Sequence, residues 1–174
     1  TDAAVAHGLA LAAQGADILD VGGESTRPGA APVPLEEELR RVVPVIERLA
    51  RETALPVSVD TRKPEVMRAA VQAGAGMVND VGALRGDGAL ETAAALGVPV
   101  VLMHMLGEPG SMQDDPRYDD VVAEVHRFLA ERIFAAELAG IARKNIVVDP
   151  GFGFGKTTGH NVLLLAGLER FAEL

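Results

Sequence analysis

Five polar side chains stand at one kind of place in this chain. Asp20, Asp60, Asn79, His104 and Asp149 each end or follow a short apolar run. Runs of this length, rich in β-branched residues and bounded by turn residues, read as buried strands. An ionised Asp only accepts hydrogen bonds, whereas Asn both donates and accepts, so the set offers both kinds of partner. There is no Ser–His pair among these residues. They suit recognition and charge stabilisation better than nucleophilic attack.

The densest stretch is Asp149-Pro150-Gly151-Phe152-Gly153-Phe154-Gly155-Lys156-Thr157. Pro150 stops strand pairing because it has no N–H to donate. Glycines at alternate positions let the backbone approach a ligand closely, and the two phenylalanines are either exposed or folded over a pocket. Two common glycine motifs are excluded. A P-loop needs four residues between its first glycine and Gly-Lys-Thr, but that first position is Pro150. In the dinucleotide fingerprint the third glycine would fall on Lys156. The alternative to a ligand loop is a flexible strand-to-helix turn.

The elements that must position these residues alternate along the chain. A helix over residues 1–14, capped by Thr1 or Asp2 and ended by Gly15, precedes the strand 16–21. Pro34 suits the first turn of the next helix, whose apolar face is Leu35, Leu39, Val42, Val43, Ile46 and Leu49, with a kink expected at Pro44. Strands follow at 56–60, 76–80, 98–103 and 146–148, and helices at 64–73, 88–96, 118–139 and from about residue 160. Such alternation demands a parallel sheet with crossover helices. The strand ends then lie on one side, and in a (β/α) barrel they ring the mouth of the active site. A closed barrel has eight strands and about 250 residues. With 174 residues and five strands, the chain reads as a partial (β/α)8 TIM barrel, one domain over 1–174, lacking the N-terminal strand and the C-terminal strands.

Composition narrows the function class. Apolar residues make up 48%, enough for a substantial core. No run of about 18 apolar residues marks a transmembrane helix, and a net charge of −9 argues against a general nucleic-acid binder. Cysteine is absent, which excludes disulfides, thiolate metal sites and a cysteine nucleophile. That composition fits a reducing cytoplasm.

Several blocks together resemble dihydropteroate synthase, of the pterin-binding family. They are Asp20-Val21-Gly22-Gly23-Glu24-Ser25-Thr26-Arg27-Pro28-Gly29, Ser58-Val59-Asp60-Thr61 before Lys63-Pro64-Glu65, Val78-Asn79-Asp80, Leu102-Met103-His104-Met105, and Asp149 through Lys156. The resemblance implies a (β/α)8 barrel that joins 6-hydroxymethyl-7,8-dihydropterin pyrophosphate to 4-aminobenzoate, releasing 7,8-dihydropteroate and pyrophosphate with Mg²⁺ assisting. By resemblance Asp60, Asn79 and Asp149 bind the pterin. Its 2-amino group and adjacent ring N–H form a donor pair that suits a carboxylate, and hydrogen bonds to the charged form offset part of that carboxylate's desolvation. The other role open to Asp60 is a cap for the helix from Pro64.

Thr26 and Arg27 resemble the mobile loop that closes over aminobenzoate and pyrophosphate, where Arg27 could grip an anion bidentately. Gly153 and Phe154 resemble the aminobenzoate pocket, and Met103 a wall of the pterin pocket. Asp60 and Arg27 are the residues expected to help the reaction itself. His104 reads as structural, and Asp20 as a supporting group rather than a direct ligand. The family's metal-binding asparagine, pterin-holding lysine and Arg-x-His for pyrophosphate have no counterpart in this sequence, so the segment alone is expected to be inactive. The resemblance also implies a cytoplasmic homodimer for the complete protein. Two other readings share the barrel: a corrinoid-linked methyltetrahydrofolate methyltransferase, and a non-catalytic pterin-binding protein.

Overall fold

The computed structural model describes residues 1–27 and 29–174. Pro28, quoted above in the loop after the first strand, lies outside the described residues. Among these residues the chain runs α1 (Asp2–Ala13), β1 (Leu19–Gly22), α2 (Leu35–Glu52), β2 (Val57–Asp60), α3 (Pro64–Gln72), β3 (Met77–Asp80), α4 (Ala89–Leu96), β4 (Val100–Met103), α5 (Val121–Leu138), β5 (Ile146–Asp149) and α6 (Thr158–Ala166). The five strands are parallel and ordered β1-β2-β3-β4-β5. Sequential order with helical crossovers is the geometry of an open, partial (β/α) barrel rather than a doubly wound sheet, whose order reverses at a switch point.

Strand periodicity divides the sheet into two faces. Leu19, Val57, Val59, Val78, Val100 and Leu102 join one core with Val42, Ile46 and Leu49 of α2, Val66 and Met67 of α3, Ala89 and Ala93 of α4, and Ile133 and Ala136 of α5. The alternate positions turn the opposite way: Asp20 and Gly22, Ser58 and Asp60, Asn79, Met103, and Asp149. Asp20, Asp60, Asn79 and Asp149 therefore share the face away from the helices, whereas His104, just past β4, packs against Phe128 of α5 and Tyr118. A second core of Val121, Val125, Leu129, Leu164 and Phe171 anchors α5 to α6.

Local chemistry explains most element ends. Gly15, at φ +98°, turns the chain out of α1. Pro34 sits one residue before the first turn of α2, at φ −58° and ψ 149°, rather than inside it. Pro44 lies within α2, which continues as one helix to Glu52 despite the missing donor. Thr157 caps α6 reciprocally with His160: its Oγ1 accepts the His160 N–H and its own N–H donates to His160 Nδ1, both at 3.2 Å.

Candidate functional site

Asp60 closes β2 and stands in register with Gly22 on one side and Asn79 on the other. Gly22 makes room for it, since a Cβ there would sit 3.3 Å from Asp60 Oδ2. The carboxyl is pushed up to about 7 by burial first, then by the negative charges of Asp20, Asp80, Glu38 and Glu24. Asp60 does not cap α3: Lys63 occupies that position, without a side-chain cap bond. Asp60 is thus poised between its two forms near neutral pH, and the ionised form expected from the sequence is the one that donors of a bound pterin would favour.

Asn79 is fixed by its neighbours. Its side-chain Nδ2 donates to Asp20 Oδ2 at 2.9 Å, and its backbone carbonyl accepts the Thr61 N–H at 3.0 Å. Asp20 was expected at a strand end. It lies deeper, opposite Ser58, because β1 continues to Gly22. That depth lets it orient the Asn79 amide from below, in keeping with the supporting role expected of it.

At the far edge, Met103 pairs in register with Asp149. Asp149 Oδ1 accepts the Gly151 N–H at 2.8 Å and its carbonyl accepts the His104 N–H at 3.0 Å. Met103 is buried with Val81, Met105 and Met112, and Phe154 packs against that group. Of the two loop phenylalanines, Phe154 folds inward while Phe152 is 41% exposed.

The glycine loop is held from four sides. Gln113 Nε2 donates to the Gly153 carbonyl at 2.8 Å and its Oε1 accepts the Lys156 N–H at 3.1 Å. Tyr118 Oη donates to the Gly155 carbonyl at 2.8 Å, and Asn161 Oδ1 accepts the Gly153 N–H at 2.9 Å. Gly151, at φ +71°, lies against His104: a Cβ there would come 1.9 Å from the His104 carbonyl oxygen. Lys156 is the member that sequence reasoning undervalued. It is 3% exposed, and its Nζ bonds His104 Nδ1 at 2.9 Å, the Phe154 carbonyl at 3.0 Å and the His104 carbonyl at 3.3 Å. Burial lowers the ammonium to about 7, with the Asp149 charge opposing; burial and then Lys156 lower His104 to about 3. His104 is thus a neutral acceptor under a structural tie. The only sequence sign of that tie was a lysine closing the glycine run.

The loop after β1 is rooted by charge. Lys63 Nζ binds Glu24 Oε2 at 2.9 Å and the buried Glu38 carboxylate, while Arg62 bridges Glu24 at 3.2 Å and Glu108 at 2.8 Å. Burial alone would raise Glu24; the bonds from Lys63, Val33 and Arg62 outweigh it and hold the carboxyl below its usual range. Thr26 shares the lining of a small cavity, about 10 Å³, with Asp60. Arg27 is exposed on the same loop, its N–H 3.4 Å from Ser25 Oγ. A separate cleft of about 400 Å³, lined by Glu24, Arg62, Lys63, Asp80, Arg85 and Glu108 among others, lies under the loops; Asp60, Asn79 and Asp149 do not line it. The structure thus brings Asp60, Asn79, Met103 and Asp149 onto one face, Phe154 against Met103, and Thr26 beside Asp60. It leaves Arg27 and Gly153 at the surface.

Two properties of the described residues bear on partners. Among them no three His, Cys, Asp or Glu side chains are grouped as a metal cage made of protein ligands alone. No described helix is long and apolar enough to cross a membrane.

Parallel strands carrying a carboxylate–amide–carboxylate set on one face, beside a clamped glycine loop, define a partial (β/α) barrel with polar groups at its strand ends. The chain belongs to the pterin binding enzyme family, whose sequence profile matches residues 1–174. Dihydropteroate synthase of Escherichia coli (strain K12) is 54% identical over 168 residues, which are 97% of this chain and 60% of that protein. The structure of Xanthomonas albilineans dihydropteroate synthase with 4-aminobenzoic acid superposes with a TM-score of 0.94 at 70% identity, covering 99% of this chain and 61% of that one. The same enzyme in complex with 7,8-dihydropteroate superposes at 0.88 with 66% identity, covering 98% and 60%. The chain therefore spans about 60% of the length of these relatives.

Proposed function

We propose that the complete protein containing this chain is a dihydropteroate synthase. It condenses 6-hydroxymethyl-7,8-dihydropterin pyrophosphate with 4-aminobenzoate to give 7,8-dihydropteroate and pyrophosphate. The observation that carries this reading is the grouping of Asp60, Asn79 and Asp149 on the helix-free face of the sheet, in a chain 66% identical to an enzyme crystallised with 7,8-dihydropteroate. Asp60 and Asp149 accept from the donor edge of the pterin, Asn79 reads the remaining edge, and Met103 forms a wall. Thr26 and Arg27 close over the aminobenzoate and pyrophosphate end. Gly153 and Phe154 line the aminobenzoate side.

The reaction is a displacement at the methylene carbon of the pterin. Its C–O bond to pyrophosphate breaks and the electron pair leaves with the pyrophosphate. The amine nitrogen of aminobenzoate supplies the pair for the new C–N bond and then loses a proton. Positive charge develops on the pterin and methylene as the anion departs, and the Asp60 carboxylate stabilises it electrostatically. Arg27 offers a bidentate fork to the departing or aminobenzoate anion. No side-chain nucleophile is needed. A cytoplasmic homodimer is the location and assembly that accompany this reading.

The test replaces Asp149 with Asn in the complete protein and measures 7,8-dihydropteroate affinity by titration calorimetry. A loss of about tenfold or more is expected, since a buried donor on the ligand loses a charged acceptor. Unchanged affinity refutes the assignment. Binding of methyltetrahydrofolate without synthase turnover points instead to a methyltransferase.

A further inference from the structure

The turn after β3 carries two consecutive residues in the left-handed region that are not glycine: Ala83 at φ +53° and Leu84 at φ +55°. Side chains with a Cβ rarely adopt this conformation, and such residues persist only where the surroundings over-determine them. Both are buried, at 0% and 1% exposure, and Leu84 is part of the main core.

Two polar side chains hold this turn. Asp80, 1% exposed, accepts the Gly82 N–H on Oδ1 at 2.6 Å and the Leu84 N–H on Oδ2 at 2.9 Å. Arg132, reaching across from α5, donates Nε to the Ala83 carbonyl at 2.8 Å and Nη2 to the Leu84 carbonyl at 3.1 Å. Among the described residues Arg132 forms no ion pair. Its half-buried guanidinium is spent on the carbonyls of the two left-handed residues.

The turn lies between two parts of the proposed pterin site. Asn79 immediately precedes Asp80. Val81, immediately after it, is packed in the cluster with Met103 against which Phe154 rests. We infer that Asp80 and Arg132 are positioning residues: by holding the turn at 82–84 they set the amide of Asn79 and the Val81–Met103 wall for the pterin ring. This rests on the pterin-site reading above. Neither residue needs to touch the ligand. A displacement of the turn moves a hydrogen-bonding amide and an apolar wall together, and small misplacements at a recognition edge are costly.

The experiment compares four forms of the complete protein: unsubstituted, Arg132→Ala, Ala83→Gly, and both substitutions together. Each is titrated with 7,8-dihydropteroate well below its melting temperature, which is measured in parallel. Arg132→Ala is expected to weaken binding about tenfold, equivalent to about 1.4 kcal/mol. Glycine takes a positive φ without steric penalty, so adding Ala83→Gly is expected to recover most of that affinity although the two carbonyl bonds stay broken. A general structural role would lower the melting temperature and leave the affinity of the folded fraction alone. Unchanged affinity in Arg132→Ala overturns the inference, and so does a loss that Ala83→Gly does not recover. If Arg132→Ala does not fold, Arg132→Gln keeps one donor and gives the same comparison at smaller amplitude. Failure of the unsubstituted protein to bind 7,8-dihydropteroate overturns the functional reading and this inference with it; binding by that protein separates the two.

Discussion

Asp60→Asn keeps the shape of a side chain while removing a charge that the fold opposes. The Asp60 carboxyl titrates at about 7 instead of 3.8, through burial and then the neighbouring charges of Asp20, Asp80, Glu38 and Glu24. Between those two values the folded chain keeps a proton that the unfolded chain has released, so stability falls as pH rises through this window. Fully realised, the gap corresponds to about 4 kcal/mol. The side chain keeps some solvent contact, which screens the neighbouring charges, and about 2 kcal/mol is the working magnitude. Asp60→Asn should therefore stabilise the chain by about 2 kcal/mol near pH 8 and by much less near pH 5. Binding should respond in the opposite sense. A pterin donor pair prefers the carboxylate, whose population grows about tenfold between pH 6 and pH 8 when its midpoint is about 7. Affinity of the complete unsubstituted protein for 7,8-dihydropteroate should rise by that factor, while Asp60→Asn binds weakly without this rise. Urea unfolding across pH 5–9 and calorimetric titrations at pH 6 and 8 measure both arms. Equal stability of the two forms near pH 8 would refute the argument from burial and charge. A pH-independent affinity in the unsubstituted protein would refute the proposed role of the carboxylate.

Lys156 has the opposite linkage. Its folded-state value is lowered to about 7 from 10.5, so the unfolded chain binds more protons between these values and stability rises with pH across them. Relative to Lys156→Met, the unsubstituted chain should gain about 2–4 kcal/mol in urea unfolding between pH 7 and pH 10; a constant difference would mean the amine is not desolvated as its burial implies. Two glycines of one loop should behave differently. Gly151→Ala, which would drive a Cβ to 1.9 Å from the His104 carbonyl oxygen, should cost more than about 3 kcal/mol or abolish folding. Gly153→Ala, at φ +82° but with open space around it, should cost about 1–2 kcal/mol, and thermal melting of the two variants decides whether the clash governs the difference.

Much of the architecture was legible in the order of residues. Apolar runs separated by helical periods called for a parallel sheet, and β1 to β5 form one with helices between them. Asp60, Asn79 and Asp149, which the resemblance assigned to the pterin, fall on one face because strand side chains alternate. Strand limits set what could not be read. β1 runs to Gly22, so Asp20 lies below the strand end and supports Asn79. The two loop phenylalanines are chemically alike, so the residues alone left both open; the resemblance pointed to Phe154, and the packing against Met103, Met105 and Met112 makes it the inward one.

The sequence by itself determined which residue types stand at each strand end and that the chain alternates strand with helix, because both follow from short-range patterns of apolar, polar and turn residues. Tertiary structure alone decided the protonation poise of Asp60, the burial of Lys156 against His104 and the grip of Arg132 on a left-handed turn. Each of these arises from groups many residues apart in the chain, brought together by sheet register and helix packing. Their charges and donors act through a low-dielectric interior that exists only once the chain has folded.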